Sequence, residues 1–352
     1  MNKVDFRPTK FNEVIGQDEI KEFLKLKIIA FRKTGNSLVH VLFLGFSGLG
    51  KTTLANVVAN EMGVGFHQIM ATRIRTWADF YNIIKNVEEN DVVFIDEIHA
   101  LAPKIQEHLY GVMEDFTCTV EDKNLNRQVK MQIPRFTLIG ATTHTGDLNA
   151  PLLSRFQHKA YLLPYSVEDL TKMIVGAGER IYNITIPDEI ATKIARLSRK
   201  TARVAYNLLR SYMDVAEATT VGRVKPSDLT MKLLYQTLRY EQIDPIIGLD
   251  IVSRKYIVEL LKKRGPVGFE TMSNLLNEQP STVKSMVEPF LLSDIELAYV
   301  ENSEEKVIVS NFVSITSKGR VALPPAFTYI KLCQTLQEKG WFKDESFNIK
   351  SE

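Results

Sequence analysis

Cysteine is nearly absent from this chain. Cys118 and Cys333 are the only two in 352 residues; they lie far apart and without metal-ligand spacing. That excludes a disulfide framework as the organising principle, and a reducing cytosol fits better. Long apolar runs are missing too. There is no stretch of about 18 apolar residues, and the opening "MNKVDFRPTK" has no apolar core of the kind that directs export, so the expectation is a soluble, cytoplasmic protein with no membrane partner. Nor is there an excess of charge. Forty-four Lys and Arg against 42 Asp and Glu leave a net charge of +2, so any grip on nucleic acid has to come from local patches. Internal repeats and low-complexity tracts are also lacking.

What is present is enough apolar sequence, 45%, to build two or three compact domains of about 100–200 residues each. From Phe11 to about Pro164 helical patterns alternate with short apolar runs, "VLFL" at 41–44, "DVVFID" at 91–96 and "FTLIGAT" at 136–142. Runs of that kind between helices indicate a parallel sheet covered on both faces. Residues 166–240 read as all-helical, opening on Ser166 as an N-cap with Asp169 at the capping-box position. After "QIDPIIG" at 242–248 come two or three helices and then β-rich sequence, "EKVIVSNFVSIT" and "GRVALPP", which is the winged-helix order. The expected division is an α/β nucleotide domain over 1–164, a small helical domain over 165–241, a winged-helix domain over 242–330 and a C-terminal helix with a tail over 331–352.

The strongest local signal is "GFSGLGKT" at 45–52. It satisfies G-x-x-x-x-G-K-S/T with a strand before it and a helix after it, the context in which that pattern cradles phosphate. Gly45, Gly48 and Gly50 let backbone N–H groups close around phosphate oxygens, and Leu49 lies within the same turn. The following helix points its positive end at those oxygens. Lys51 is placed to reach the β- and γ-phosphates, Thr52 to offer its hydroxyl to Mg²⁺, and Thr53 to stand beside it.

"DVVFIDEIHAL" at 91–101 ends an apolar strand in two carboxylates, Asp96 and Glu97. At the carboxyl edge of a parallel strand, Asp96 can hold Mg²⁺ through water and Glu97 can polarise the attacking water. Binding alone needs no second acid, so the pair points to hydrolysis of ATP. His99 and His108 form no cluster at ligand spacing and read as ordinary polar residues.

With these motifs in order, the chain resembles the RuvB family of Holliday-junction branch-migration motors, which are AAA+ ATPases. The similar stretches run from "RPTKFNEVIGQ" (7–17) through the two motifs above, "YGVMEDF" (110–116), "FTLIGATTHTG" (136–146) and "KTARVAYNLLR" (200–210) to "RGPVGFETMSNLL" (264–276) and "GRVALP" (319–324). The resemblance implies roles for matching residues. Thr142 and Thr143 fall at the sensor 1 position, Arg155 at the arginine finger that reaches into a neighbouring subunit, and Arg203 at sensor 2 of the lid. Phe6, Arg7, Tyr165 and Glu114, Asp115 and Phe116 fall where the family surrounds the base and ribose. A finger acting in trans requires a neighbour, which implies a homohexameric ring. The implied activity is ATP-driven translocation of double-stranded or four-way-junction DNA. A loader or remodeller in replication and an ATP-switched DNA-bound regulator are the alternatives.

Several positions depart from the family. "PLLSRF" stands where P-L-R-D-R-F is usual, so Leu153 and Ser154 replace two charged residues, and His144 stands where an Arg is usual. The stretch 116–136 resembles the hairpin by which the family docks on RuvA, but its tip "EDKNLNR" is polar apart from Leu125. In the winged segment the sequence between "EPFLL" and "GRVAL" is longer than the family needs, and residues 244–330 carry nine Lys and Arg against eleven Asp and Glu. That is a poor footprint for phosphate binding. Lys318 and Arg320 remain at the wing tip where the family touches the DNA backbone. These departures fit a copy carried by a phage or mobile element.

Overall fold

The structure, a computed structural model, describes residues 7–322 apart from 36, 123–126, 144–147, 246–247, 264–266, 268, 284–286, 292–294, 298–306, 310–313 and 316–320. Phe6, His144, Lys318, Arg320 and the expected C-terminal helix lie outside the described residues. The described chain divides into two compact units, 1–210 and 211–352.

The first unit is built on five parallel strands in the order β2-β3-β6-β1-β7, with β1 Val41–Leu44, β2 Phe66–Met70, β3 Val92–Asp96, β6 Thr137–Thr142 and β7 His158–Tyr161. The order follows from burial. All residues of β1 and β6, and Val92 to Ile95 of β3, are buried, which suits strands with helices on both faces. β2 and β7 carry exposed positions and sit at the two edges. Thr142 lies directly beside Leu44 across the β6–β1 pair, and Gly140 beside Ile95 across the β3–β6 pair. The carboxyl ends of β3, β6 and β1 are therefore neighbours, although Thr142 lies 46 positions after Asp96 in sequence.

Helices α1 Asp18–Thr34, α2 Lys51–Met62, α3 Trp77–Ile84, α4 Pro103–Glu114 and α5 Ala150–Arg155 belong to this layer. Their ends are marked locally. Thr76 caps α3 in a reciprocal box with Asp79, Pro103 starts α4, and Asn149 caps α5 by accepting from Leu152 N–H. Two buried polar groups tie the frame. His40 bridges Leu138 N–H and the Met113 carbonyl at 2.9 and 3.0 Å. Asp91 accepts from Gly65 and Glu88 N–H and meets His67 Nε2 at 2.7 Å. Between α4 and β6 the antiparallel pair β4 Thr117–Asp122 and β5 Arg127–Gln132 forms a hairpin of its own, outside the main sheet.

After β7 the chain becomes helical, with α6 Val167–Ala177, α7 Asp188–Leu197 and α8 Ala202–Thr219. Ser166 caps α6 by accepting from Asp169 N–H at 3.0 Å. The unit boundary falls within α8, inside the stretch expected as a lid.

The second unit continues with α9 Met231–Tyr240, α10 Ile251–Lys263 and α11 Phe269–Leu276, then short turns of helix at Pro280–Thr282 and Glu288–Leu291. Two separate antiparallel ladders follow, β8 Ile295–Leu297 with β9 Val307–Val309, and β10 Ser314–Ile315 with β11 Val321–Ala322. Among the described residues, 295–297 thus pair with 307–309, and 314–315 with 321–322. No helix among the described residues is long and apolar enough to cross a membrane.

Candidate active site

The phosphate loop owes its shape to backbone positions that side chains resist. Gly48 and Gly50 stand at φ 88° and 93°, in the left-handed region where a Cβ is unfavourable. A Cβ on Gly48 would also come within 3.0 Å of the Cβ of Arg203 and 3.3 Å of that of Thr201. The loop and the start of α8 are thus in close contact, and a side chain between them would force one of them to shift. Two further contacts tie these segments: Arg203 donates to Ser47 Oγ at 2.7 Å and to the Gly48 carbonyl from its own N–H at 3.4 Å.

A cavity of about 800 Å³ opens over the loop. Gly48, Leu49, Gly50, Lys51, Thr52 and Thr53 form its floor. Arg7, Asp96, Glu97, Tyr165 and Arg203 line its walls. Tyr165 is buried, its hydroxyl donating to the Leu49 carbonyl at 3.0 Å, and burial pushes its pKa up to about 12. It acts here as a neutral prop for the loop. Gly45 supplies a carbonyl to Lys51 from beneath.

Lys51 is 7% exposed, and its ammonium donates to the carbonyls of Gly45 and Phe46 at 2.7 and 3.0 Å. Burial lowers its pKa, opposed by the charges of Glu97 and Asp96. Asp96 shows the converse. Burial raises the pKa of its carboxyl and the charge of Glu97 raises it further, while Lys51 lowers it. Two carboxylates held this close under partial burial favour a cation between them and the phosphates. Thr52 and Asp96 face the same cavity and are oxygen donors suited to Mg²⁺. Among the described residues no group of three or more His, Cys, Asp and Glu could hold a metal ion. A magnesium ion here would complete its shell with water and substrate oxygens.

Glu97 stands at φ 52°, ψ 46°, a left-handed conformation that costs a non-glycine residue on the order of 1 kcal/mol and is concentrated at functional sites. The turn brings its carboxylate to the end of β6. Glu97 Oε2 accepts from Thr143 Oγ1 at 3.4 Å and lies 3.3 Å from His99 Nδ1, which is 2.8 Å from Thr142 Oγ1. His99, read above as an ordinary polar residue, joins the glutamate to the sensor 1 position. Its spacing in the sequence gave no hint of this, because the contact depends on β3 and β6 being adjacent. His108 packs against Trp77 with the rings tilted by 32° and their centroids 4.7 Å apart.

The remaining residues lie elsewhere. Glu114, Asp115 and Phe116 do not line the cavity. Phe116 turns at φ 51° to pack near Phe136 and His40, and Asp115 pairs with Lys130 at 3.7 Å. Glu114 Oε1 instead faces Arg155 Nε at 3.1 Å. That is an ion pair by distance, though off the N–H direction, since Arg155 Nε has no hydrogen-bond partner. Arg155 also donates to the Pro151 carbonyl at 2.8 Å and lies 4.3 Å above the Tyr110 ring. It does not line the cavity of its own chain.

Comparison with known proteins matches three consecutive segments. Residues 6–162 match the family described as the Holliday junction DNA helicase RuvB P-loop domain, residues 165–243 the RuvB AAA lid domain, and residues 247–301 the RuvB C-terminal winged helix domain. The chain is 36% identical over 333 residues to the Holliday junction branch migration complex subunit RuvB of Myxococcus xanthus, covering 94% of this chain and 90% of that protein. It is similar to the Thermotoga maritima RuvB Holliday junction branch migration motor, with TM-score 0.75 and 29% identity over 96% of this chain and 99% of that one. A single-substitution mutant of the same Thermotoga maritima protein gives TM-score 0.76 at 30% identity, covering 96% and 99%.

Proposed function

This chain belongs to the RuvB family, and on that premise we propose that it is an ATP-driven motor that migrates Holliday junctions. The observation that carries the reading is the convergence of Lys51, Asp96 and Glu97 on one cavity, with Thr143 bonded to Glu97 and Thr142 linked to it through His99. Family membership along all three segments sets aside the loader and regulator readings.

The substrate is ATP. Backbone N–H groups of the loop and the N-terminus of α2 take up phosphate charge, and the Lys51 ammonium exchanges carbonyl partners for phosphate oxygens. Mg²⁺, held by Thr52 and Asp96, supplies charge neutralisation when bound. Glu97 orients a water toward the γ-phosphorus. As the water oxygen bonds to phosphorus, the bond to the β,γ-bridging oxygen breaks, ADP leaves and the water proton passes toward Glu97. Arg203 links the phosphates to α8, so loss of the γ-phosphate is felt there.

Arg155 lies outside its own cavity, held by Glu114 and Tyr110. That supports its service to a neighbouring subunit and hence a ring, hexameric as in the resemblance. The working site is cytoplasmic. The β4–β5 hairpin is the docking element for a RuvA-like partner, and the winged segment touches DNA.

ATP turnover tests the reading. Hydrolysis by the intact chain should rise on addition of four-way-junction DNA, and Glu97→Gln should retain ATP binding while losing turnover by about 10²-fold or more. Undiminished hydrolysis by Glu97→Gln would contradict the assignment.

A further inference from the structure

We propose that His99 is a positioning residue for hydrolysis, one that fixes the Glu97 carboxylate and the Thr142 hydroxyl as a single unit. The inference rests on the reading of Glu97 given above and adds a residue to it. His99 Nδ1 lies 2.8 Å from Thr142 Oγ1 and 3.3 Å from Glu97 Oε2. One ring nitrogen thus faces two oxygens, and its protonation can be deduced from that. A bare Nδ1 lone pair would oppose an ionised carboxylate at this distance, so the proton resides on Nδ1 and is shared between the two oxygens. The Thr142 oxygen then accepts from His99, and its own O–H is directed to its other side, as a donor. The same nitrogen holds one carboxylate oxygen of Glu97, to which Thr143 also donates at 3.4 Å.

This arrangement has a reason in the backbone. Glu97 occupies the left-handed region at φ 52°, and its side chain is about a third exposed. A carboxylate on a strained turn at a cavity wall has several rotamers open to it. Thr142, by contrast, is fully buried at the end of β6. The imidazole, rooted in the turn of helix Ile98–Ala100 that follows Glu97, transfers the rigidity of the central strand to the glutamate. The water-orienting group and the strand-end hydroxyl therefore keep a constant separation. In near-attack chemistry, a displacement of about 1 Å costs on the order of 10²-fold in rate.

The substitutions that test this differ in where they put an amide. In His99→Asn the side-chain nitrogen falls near the place of Nδ1, whereas in His99→Gln it falls near that of Nε2. Steady-state ATP turnover by the full chain, with nucleotide affinity and thermal midpoint measured on the same samples, should show kcat reduced by about 10–100-fold in His99→Ala and His99→Gln. KM and affinity should move less than about threefold, because the phosphate loop is untouched. His99→Asn should recover most of the loss, and Thr142→Ala added to His99→Ala should cost little more, since the two act together. Unchanged kcat in His99→Ala, or a His99→Asn as slow as His99→Ala at equal thermal midpoint, would overturn the proposal. Glu97→Gln, run in parallel, separates the two levels. If it loses turnover while His99→Ala does not, only the positioning role falls; if it keeps turnover, the assignment of Glu97 and the role of His99 fall together.

Discussion

Burial holds the His40 imidazole neutral in the folded chain, its pKa lowered to about 4, while the hydrogen bond to the Met113 carbonyl opposes the shift only in part. Its other nitrogen accepts from Leu138 N–H, so a proton added there breaks a bond between β6 and the frame. The unfolded chain takes up that proton near pH 6.5 and the folded chain does not. The stability from this residue is therefore complete above about pH 6.5 and declines as the pH falls toward 4, by on the order of 3 kcal/mol in all. Urea unfolding between pH 7 and pH 4.5 should show this decline in the intact chain. A His40→Gln variant should start less stable and decline less; parallel slopes for the two proteins would contradict the assignment. At the same scale, Lys51, Asp96 and Glu97 were legible in the sequence because each has a motif of adjacent residues. His99 was not, since its neighbour Thr142 is 43 positions away and is brought to it only by strand order.

Elements were legible wherever the pattern is local. The runs at 41–44, 92–96 and 137–142 became the three central strands because β-branched and aromatic residues without polar interruption bury well on both faces. Ser166 capped its helix as its spacing to Asp169 indicated. The resemblance puts Glu114, Asp115 and Phe116 around the base and ribose; within this chain Phe116 packs edge-on to Phe136, Glu114 pairs with Arg155 and Asp115 with Lys130. The winged segment was harder to read, because an inserted hairpin and a lengthened wing have the same alternation. The structure pairs β8 with β9 and β10 with β11; Lys318 and Arg320 fall in the sequence that connects β10 to β11. If that connection contacts the DNA backbone, replacing both cations with Ala should weaken binding to unrelated duplexes alike. It should also flatten the slope of log affinity against log salt by about 2, at roughly 0.9 per lost phosphate contact. Basal ATP turnover should hardly change. An unaltered salt slope would assign the winged segment to a protein partner instead.

For the whole molecule, the candidate site lies in the first unit, while the segment matched to the winged-helix domain lies in the second. A net charge of +2 gives little long-range attraction to DNA, so productive engagement depends on assembly and on local cations. Arg155, next in sequence to Leu153 and Ser154, takes its ion pair from Glu114 of the same chain. The account's central claim is that ATP hydrolysis at this site moves a junction. The most direct measurement is the conversion of a synthetic four-way junction with a mobile core into two duplexes, by the full chain with a RuvA protein present. The account predicts conversion that requires ATP and is absent with Glu97→Gln. An intact chain that hydrolyses ATP on the junction, yet converts it no faster than without nucleotide, would contradict it.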